Sequence, residues 1–545
     1  MDKRPVIGVF LIFLVLIVWT MLIAPKVDKK RTDKPKPAPL EEVDTSVAIP
    51  KDRVPKAIQF TEGEEILDTV DTKVAHILVN RHEASIKSVR LKNYKGPDGG
   101  WVELIPENER TLCEVAGDIN IFGFELVERE ALSLVYEFWD SNKAIYPLQK
   151  EGRIRKVYSF NDTSYVFDLA TQLPAASKYS LWWNSGLRTT EKDPSREIGY
   201  FGGIVRLGGT VIFKGLNDLD TTPKGEPGTI EWVGVKNKYF VGAIVPLIET
   251  ENYLMNKATM RRVGGGCMGG CMPSGEVNPE DIKVKVAVTS HSSREHNFKV
   301  YIGPLDYDIL RGVGFGLEDA CYFGFKWIRP ISRLFLKVLL WLRKVIPNYG
   351  VVIIVFSLIL SIMFFPLTKQ SHKSAINMQK LQPKIQELQK KYAKDSKRLN
   401  QAVMDLYRKE GISPLSGCFP LLIQMPVFFA LYAILDTTIA LRGAVFIPGW
   451  IEDLSHHDPY YALPILMGGM MFLQQRLQSK GATGQMQQQQ KMMMYFMPLV
   501  FTFIFMKFPA GLVLYWFVYN VFSFIQTYTL IPKLNKVTSS KREAK

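Results

Sequence analysis

Six apolar blocks, at about residues 7–23, 351–368, 419–441, 461–478, 492–508 and 511–531, constrain this chain more than any other feature. A bilayer's hydrocarbon core is ~30 Å thick and takes roughly 20 apolar helical residues to cross, with a working range of ~17–25. The blocks lie in or close to that range. Mean hydropathy is +0.01 although 22% of the residues are charged, so apolar and polar residues are segregated. The pattern predicts a polytopic α-helical membrane protein with six spans. A length of 545 residues implies two to four domains.

The first block follows a short basic start and has no small-x-small cleavage site, which predicts a retained anchor over residues 1–25. The next stretch, 26–56, is rich in Pro, Lys and acidic residues and reads as a flexible linker. Charge around the anchor conflicts with the other spans. Lys26, Lys29, Lys30, Arg31, Lys34 and Lys36 follow it, whereas only Lys3 and Arg4 precede it, and this local count puts the N-terminus outside.

Residues 57–310 contain no spanning block but several period-2 runs. Ile282, Val284, Val286 and Val288 alternate with Lys283 and Lys285; Phe298, Val300 and Ile302 repeat the pattern, as do Tyr165, Phe167 and Leu169. With turn signals such as GPDGG and PKGEPG, the region predicts a large antiparallel β-sandwich. The five cysteines (Cys113, Cys267, Cys271, Cys321, Cys418) are too scattered for a disulfide framework. Cys267 and Cys271 sit in GGGCMGGCMPSG, which reads as a glycine-rich loop. A local disulfide there is the alternative, and a metal site lacks two further ligands at recognisable spacing.

Residues 311–348 contain an amphipathic helix, in which Arg329, Arg333, Lys337, Arg343 and Lys344 fall within one third of the helical circumference amid Leu, Phe, Val and Trp. Such a helix suits the plane of lipid headgroups. The segment 369–411 is the most charged. Met378, Leu381, Ile385, Leu388 and Tyr392, then Leu399, Val403 and Leu406, repeat at heptad spacing, predicting an antiparallel helical hairpin. From Lys369 to Glu410 it carries eleven Lys/Arg against four Asp/Glu, which marks a cytoplasmic loop. The loop near 442–460 is acidic, and the tail 533–545 is basic. Alternating these flanks puts the β domain outside and both termini inside. The net charge of +15 is thus placed for topology, not for nucleic acid.

No GxxxxGK[ST] loop, G-x-S-x-G elbow or zinc-protease spacing occurs; His456 and His457 stand in an external loop. The reading is therefore not an enzyme, with no catalytic residue, metal or cofactor. Polar residues inside the spans are the remaining clue. Ser357 and Ser361, four apart on one helix face, form either a small-residue packing seam or a wet functional surface. Gln424, Asp436, Gln474, Gln475, Thr502, Tyr515, Trp516, Asn520, Ser523 and Gln526 add to them, and Lys507 is the strongly basic residue within the apolar part of spans 2–6. Near the outer end of its span, Lys507 is open to simple snorkelling.

The stretch GISPLSGCFPLLIQMPVFFALY resembles the signature of the YidC/Oxa/Alb family of membrane protein insertases. Further matches run in order: NYGVVII and MFFPLTKQ, MQKLQPKIQELQKKY, DPYYALPILMGGMMFLQ, and FMPLVFTFIFMKFPAGLVLYWFVYN. The resemblance covers roughly 325–535 and implies a five-span insertase core at 349–532. The anchor and large β domain resemble the form found in bacteria with two membranes, hence an inner-membrane protein with a periplasmic domain. The family's core encloses a hydrophilic groove open to cytoplasm and lipid and closed to the outside. Through it nascent membrane proteins enter the bilayer without ATP, alone or beside the Sec translocon. The resemblance assigns Ser357 to the groove as a hydroxyl and Tyr515 and Trp516 as the aromatic pair facing the substrate; Gln424, Thr502 and Asn520, polar residues of the spans, complete the expected groove with Ser361 and Lys507. It also assigns Lys380, Lys384, Lys390, Lys391, Lys533 and Lys536 to contact with the ribosome and the signal recognition particle receptor. Ser361 departs from the pattern, because the family usually has arginine there. Lys507, where an aromatic is frequent, is the candidate to replace that charge.

Two alternatives compete. One is a polytopic transporter or channel with an extracytoplasmic β domain, although no internal repeat is visible. The other makes the β domain an envelope enzyme or sugar-binding module on a membrane tail.

Overall fold

The computed structural model describes residues 65–543 apart from 140–152, 260–281, 412–418, 479–484 and a few isolated positions. The anchor expected at 7–23, the linker 26–56, and Cys267, Cys271 and Cys418 lie outside the described residues.

The period-2 segments form two antiparallel sheets. The smaller contains Leu67–Asp71, Ala75–Asn80, Ser85–Lys95 and Trp101–Glu103 in chain order. The larger has twelve strands among the described residues, centred on two long ones, Val166–Trp183 and Ile282–Pro304. These pair from Val166 with Tyr301 to Trp183 with Val286. The register slips between Gln172 and Ser177, around Pro174, where proline offers no N–H to the ladder. The valine and lysine alternation near 282–288 behaves as expected: Val284, Val286 and Val288 are buried while Lys283 and Lys285 are half-exposed. DIKVKVAV and NFKVYIG, read separately in the sequence, belong to one strand of 23 residues. The polar stretch between them hid that continuity. Both sheets contribute to one core, in which Ile77 and Leu91 join Tyr158, Trp183, Phe240 and Val300.

Helices follow. Asp306 accepts the N–H groups of Asp308 and Ile309 and caps α1 (Tyr307–Val313). Next come α2 (Arg329–Val345), α3 (Tyr349–Met363), α4 (Phe365–Lys380), α5 (Gln382–Lys391), α6 (Ser396–Lys409), α7 (Phe419–Thr437), α8 (Ala462–Gln478), α9 (Gln485–Phe505) and α10 (Ala510–Glu543). The apolar block 351–368 is divided at Phe364, because Pro366 has no N–H to continue the helical ladder. Of the described helices, Ala510–Thr529 is long and apolar enough to cross a membrane; Tyr349–Met363, Gln424–Thr437 and Met494–Phe505 are shorter apolar segments. Pro366 shortens the first of these blocks, and the Gln474–Gln475–Arg476 run interrupts the apolar pattern of α8.

Five helices alternate in direction, with one set of ends gathered beneath the β domain. Asn348, which caps α3, donates from Nδ2 to the Phe446 carbonyl at 3.0 Å. Asp436 at the end of α7 meets Lys238 of the β domain at 2.9 Å. Asp458 accepts the Leu463 N–H at the start of α8 at 2.7 Å. Between α9 and α10, the Ala510 and Gly511 N–H groups reach the carbonyls of His456 and Leu454 at 2.6 and 2.9 Å. The hairpin α5–α6 leaves from the opposite end. Leu381, Ile385, Val403 and Leu406 of the expected seam close on one another with Tyr407, and Lys384 pairs with Glu410 at 2.6 Å.

Gly242 lies in the sandwich core, where an added Cβ would come within 1.9 Å of the Trp183 ring. Gly242→Ala should destabilise the β domain by about 1–3 kcal/mol through overpacking. Thermal unfolding of the full chain checks this, with a Tm several degrees lower expected.

Candidate functional site

Ser357 and Ser361 are both buried on the side of α3 that meets α10. Each hydroxyl donates to a carbonyl one turn back, Ser357 Oγ to Ile353 O at 2.6 Å and Ser361 Oγ to Ser357 O at 2.7 Å. Their polarity is thereby satisfied within the helix. Gln526 of α10 reaches the Ser361 carbonyl from Nε2 at 3.4 Å. Around them, Gln424 of α7 donates to the Tyr515 hydroxyl at 2.8 Å, and Gln474 of α8 to Ser523 Oγ at 2.6 Å. Asn520 Nδ2 and Gln475 Oε1 are buried without a hydrogen-bond partner among the described residues. Polar atoms of this kind are normally satisfied by water. Gln424, Gln474, Gln475 and Ser361 belong to the halves of α7, α8 and α3 remote from the β domain, Ser357 lies near the middle of α3, and Asn520, Ser523 and Gln526 lie past the middle of the apolar segment Ala510–Thr529.

The halves nearer the β domain are aromatic. Trp516 of α10 packs edge-on against Phe428 of α7 and tilted against Phe505 of α9, both at 5.5 Å between ring centroids. Phe508 lies 5.1 Å from Phe505 and 5.4 Å from Tyr432. These rings fill the space between α7, α9 and α10. The core thus carries most of its polar side chains toward one end and an aromatic cluster toward the other.

Of the expected groove residues, Gln424 and Tyr515 meet through a hydrogen bond and Ser357 and Ser361 share one face of α3. Trp516 belongs to the aromatic cluster. Thr502 stands apart: its hydroxyl donates to the Pro498 carbonyl at 2.8 Å and lies where a Cβ on Gly468 would have to go, so it packs α9 against α8. Lys507 also stands apart, at the β-domain end of α9. It lines a cleft with Tyr200, Lys238, Tyr432, Asp436, Phe508 and Pro509 at the β-domain end. Its position near the outer end of the apolar block already pointed to this end.

Helix α2 divides its surface three ways. Phe335, Leu336, Leu339 and Leu342 are buried, while Leu334, Trp341 and Val345 are exposed. Arg333 pairs with Asp319 at 2.8 Å, and Arg343 lies over the Tyr349 ring at 4.9 Å, so only part of the basic stripe faces outward, with Lys337 and Lys344 exposed and Arg329 half-buried. In the hairpin, Lys384, Lys390 and Lys391 are exposed. The side chains of Lys380, Lys533 and Lys536 lie outside the described residues.

Comparison with known proteins agrees with this division. The family described as "60Kd inner membrane protein" matches residues 341–537, and that described as "YidC periplasmic domain" matches 68–338. The protein of Geotalea uraniireducens (strain Rf4) named membrane protein insertase YidC is 32% identical, over 96% of this chain and 98% of its own. The chain belongs to the YidC family. Another YidC, from Syntrophus aciditrophicus (strain SB), is 31% identical over 97% of this chain and 99% of its own. A crystal structure of an active YidC insertase with its first transmembrane domain resolved covers 86% of this chain and 93% of that one, at 17% identity and a TM-score of 0.38. The transporter or channel alternative is not favoured by these relatives. YidC-family proteins are inner-membrane proteins, and the β-rich unit matches their periplasmic domain.

One cluster escaped the sequence reading of this YidC-family chain. Arg442, the one basic residue of the acidic loop, donates to Glu191 at 2.5 Å and to the Thr190 carbonyl at 2.6 Å, tying the loop to the β domain. His456 meets Asp453 through Nδ1 at 3.0 Å and Glu191 through Nε2 at 3.2 Å. Glu191, Asp453 and His456 bring ligand atoms within 4.8 Å of one another. Both imidazole nitrogens already face carboxylates, and Arg442 occupies Glu191, so the arrangement is that of an imidazolium between two anions. Asp453 and then Glu191 raise the His456 pKa from 6.5 to about 9, against the opposing effect of burial. A raised folded-state pKa stabilises fully below the unfolded value, and that contribution fades as pH climbs through about 9. The Tm advantage of the parent over His456→Gln should therefore be large at pH 6 and shrink by pH 10. Thermal unfolding of both proteins across that range checks it.

Proposed function

We propose that this chain is a membrane protein insertase that receives the polar part of a nascent membrane protein in the polar half of its helical core and releases the apolar part sideways into lipid. The observation that carries this reading is the gathering of polar side chains from α3, α7, α8 and α10 at one end, beneath an aromatic plug at the other. A charged side chain at a helix centre raises insertion free energy by ~2.5–3.5 kcal/mol. A wet recess reaching part-way across the membrane lowers that barrier for a substrate's tail, and burial of the substrate's own apolar helix supplies the driving force. No strong resident charge is needed, since hydroxyl and amide groups hold the water.

The topology follows. The β-domain end of the core faces the periplasm; the hairpin α5–α6, the N-terminus and the basic tail face the cytoplasm, and all six apolar blocks span. Helix α2 lies in the outer headgroup plane, with Leu334, Trp341 and Val345 turned to lipid. The exposed Lys384, Lys390 and Lys391, together with Lys380, Lys533 and Lys536, offer a cationic surface to ribosomal RNA and to the signal recognition particle receptor. Work beside the Sec translocon is part of the same proposal.

Cysteines placed at 361, 424 and 520 should crosslink to a ribosome-stalled membrane-protein segment, whereas one at 505 should not. Equal crosslinking at all four would remove the polar-half mechanism. In the same frame, Ser361→Arg restores a charge to a wet surface, and insertion of an acidic-tailed substrate should rise. Loss of folded protein on that change would identify a dry packing seam.

A further inference from the structure

The polar layer between α3, α7, α8 and α10 is built without formal charge. Tyr349–Met363 of α3, 424–435 of α7, 462–475 of α8 and Ala510–Thr529 of α10 contain no Asp, Glu, Lys or Arg. Asp436 follows at the far end of α7, where it pairs with Lys238. The polar side chains of the layer are hydroxyls and primary amides. An ionised carboxylate accepts hydrogen bonds and donates none, and an ammonium or guanidinium donates and accepts none. A primary amide does both, through its carbonyl oxygen and its N–H groups.

Bonds within the layer leave both kinds of group over. Gln424 gives an N–H to the Tyr515 hydroxyl at 2.8 Å and keeps its carbonyl oxygen, while that hydroxyl keeps a proton to give. Gln474 and Ser523 stand in the same relation at 2.6 Å. Among the described residues, Asn520, only 6% exposed, has an unmet N–H group, and Gln475 has an unmet carbonyl oxygen. A half-turn of either amide exchanges its two roles. Formal charge stands outside the layer on that side: Arg476, directly after Gln475, and Lys369 and Lys373 of α4, past Pro366, are all exposed.

We infer that the layer is indifferent to the sign of the charge it receives, taking acidic and basic substrate tails alike: N–H and O–H groups meet a carboxylate, and carbonyl oxygens meet an ammonium. The inference rests on the insertase reading. A resident charge at this depth would favour one sign and oppose the other, because charges away from bulk water act on each other several-fold more strongly. Whatever preference for acidic tails the exposed Lys369, Lys373 and Arg476 impose is a surface effect, which salt screens.

Insertion by the full-length protein in phosphatidylcholine vesicles, without a membrane potential, tests this. The probe is one single-span substrate whose short translocated tail carries a pair of Asp, of Lys or of Asn at the same positions. Asp and Lys cost about the same at a helix centre, so a difference in rate reports the protein. At ~0.5 M salt the acidic and basic tails should insert within about threefold of each other in the parent. Asn520→Leu, which removes the amide at nearly constant volume and adds no charge, should slow both by about tenfold, as loss of one hydrogen bond to a charged group implies. Ser361→Arg should separate them by about tenfold in favour of the acidic tail. A larger preference for either sign in the parent at high salt would overturn the inference, as would slowing of one tail alone, or of neither, in Asn520→Leu. Failure of the parent to insert any of the three tails above protein-free vesicles would instead overturn the insertase reading.

Discussion

Polar groups cannot be left alone in hydrocarbon, where each unsatisfied one costs several kcal/mol. This chain carries such groups on most of its apolar helices, and its core is arranged around them. Ser357 and Ser361 turn their hydroxyls onto their own helix, Gln424 finds Tyr515, Gln474 finds Ser523, and Gln526 reaches back to α3. Asn520 and Gln475 keep unmet atoms in the same layer. Because partners come from different helices, the polar layer orients α3, α7, α8 and α10 relative to one another.

The other end is held from outside the core. The α7 end, the 442–460 loop and the α9–α10 turn converge under the β domain, which grips them through Lys238 on Asp436 and Glu191 on Arg442 and His456. Lys238, Asp436 and Glu191 are buried, so removing the partner of any of them leaves a poorly compensated charge. The aromatic rings from Phe428 to Trp516 fill the volume beneath. A β domain far from the polar layer thus contributes to it by fixing the helix ends that the seal requires.

Much of this was legible in the residue pattern. The heptad residues Leu381, Ile385, Val403 and Leu406 predicted a hairpin that closes on those side chains, and Val284, Val286 and Val288 predicted a strand that buries them. What escaped depended on contacts remote in sequence. Glu191 and Arg442 are 251 positions apart, and no local pattern joins them. The polar centre of Ile282–Pro304 concealed one long strand, since alternation weakens where both faces are polar.

The central claim is that water reaches the polar layer from the cytoplasmic side and stops at the aromatics. Accessibility of single cysteines to a membrane-impermeant maleimide tests it most directly, with the protein oriented in vesicles and its native cysteines replaced. The account predicts rapid labelling of cysteine at 520 or 424 from the cytoplasmic face and none from the periplasmic face, with cysteine at 505 or 516 unlabelled from either. Labelling of 516 from the periplasm, or protection of 520 from both sides, would contradict it.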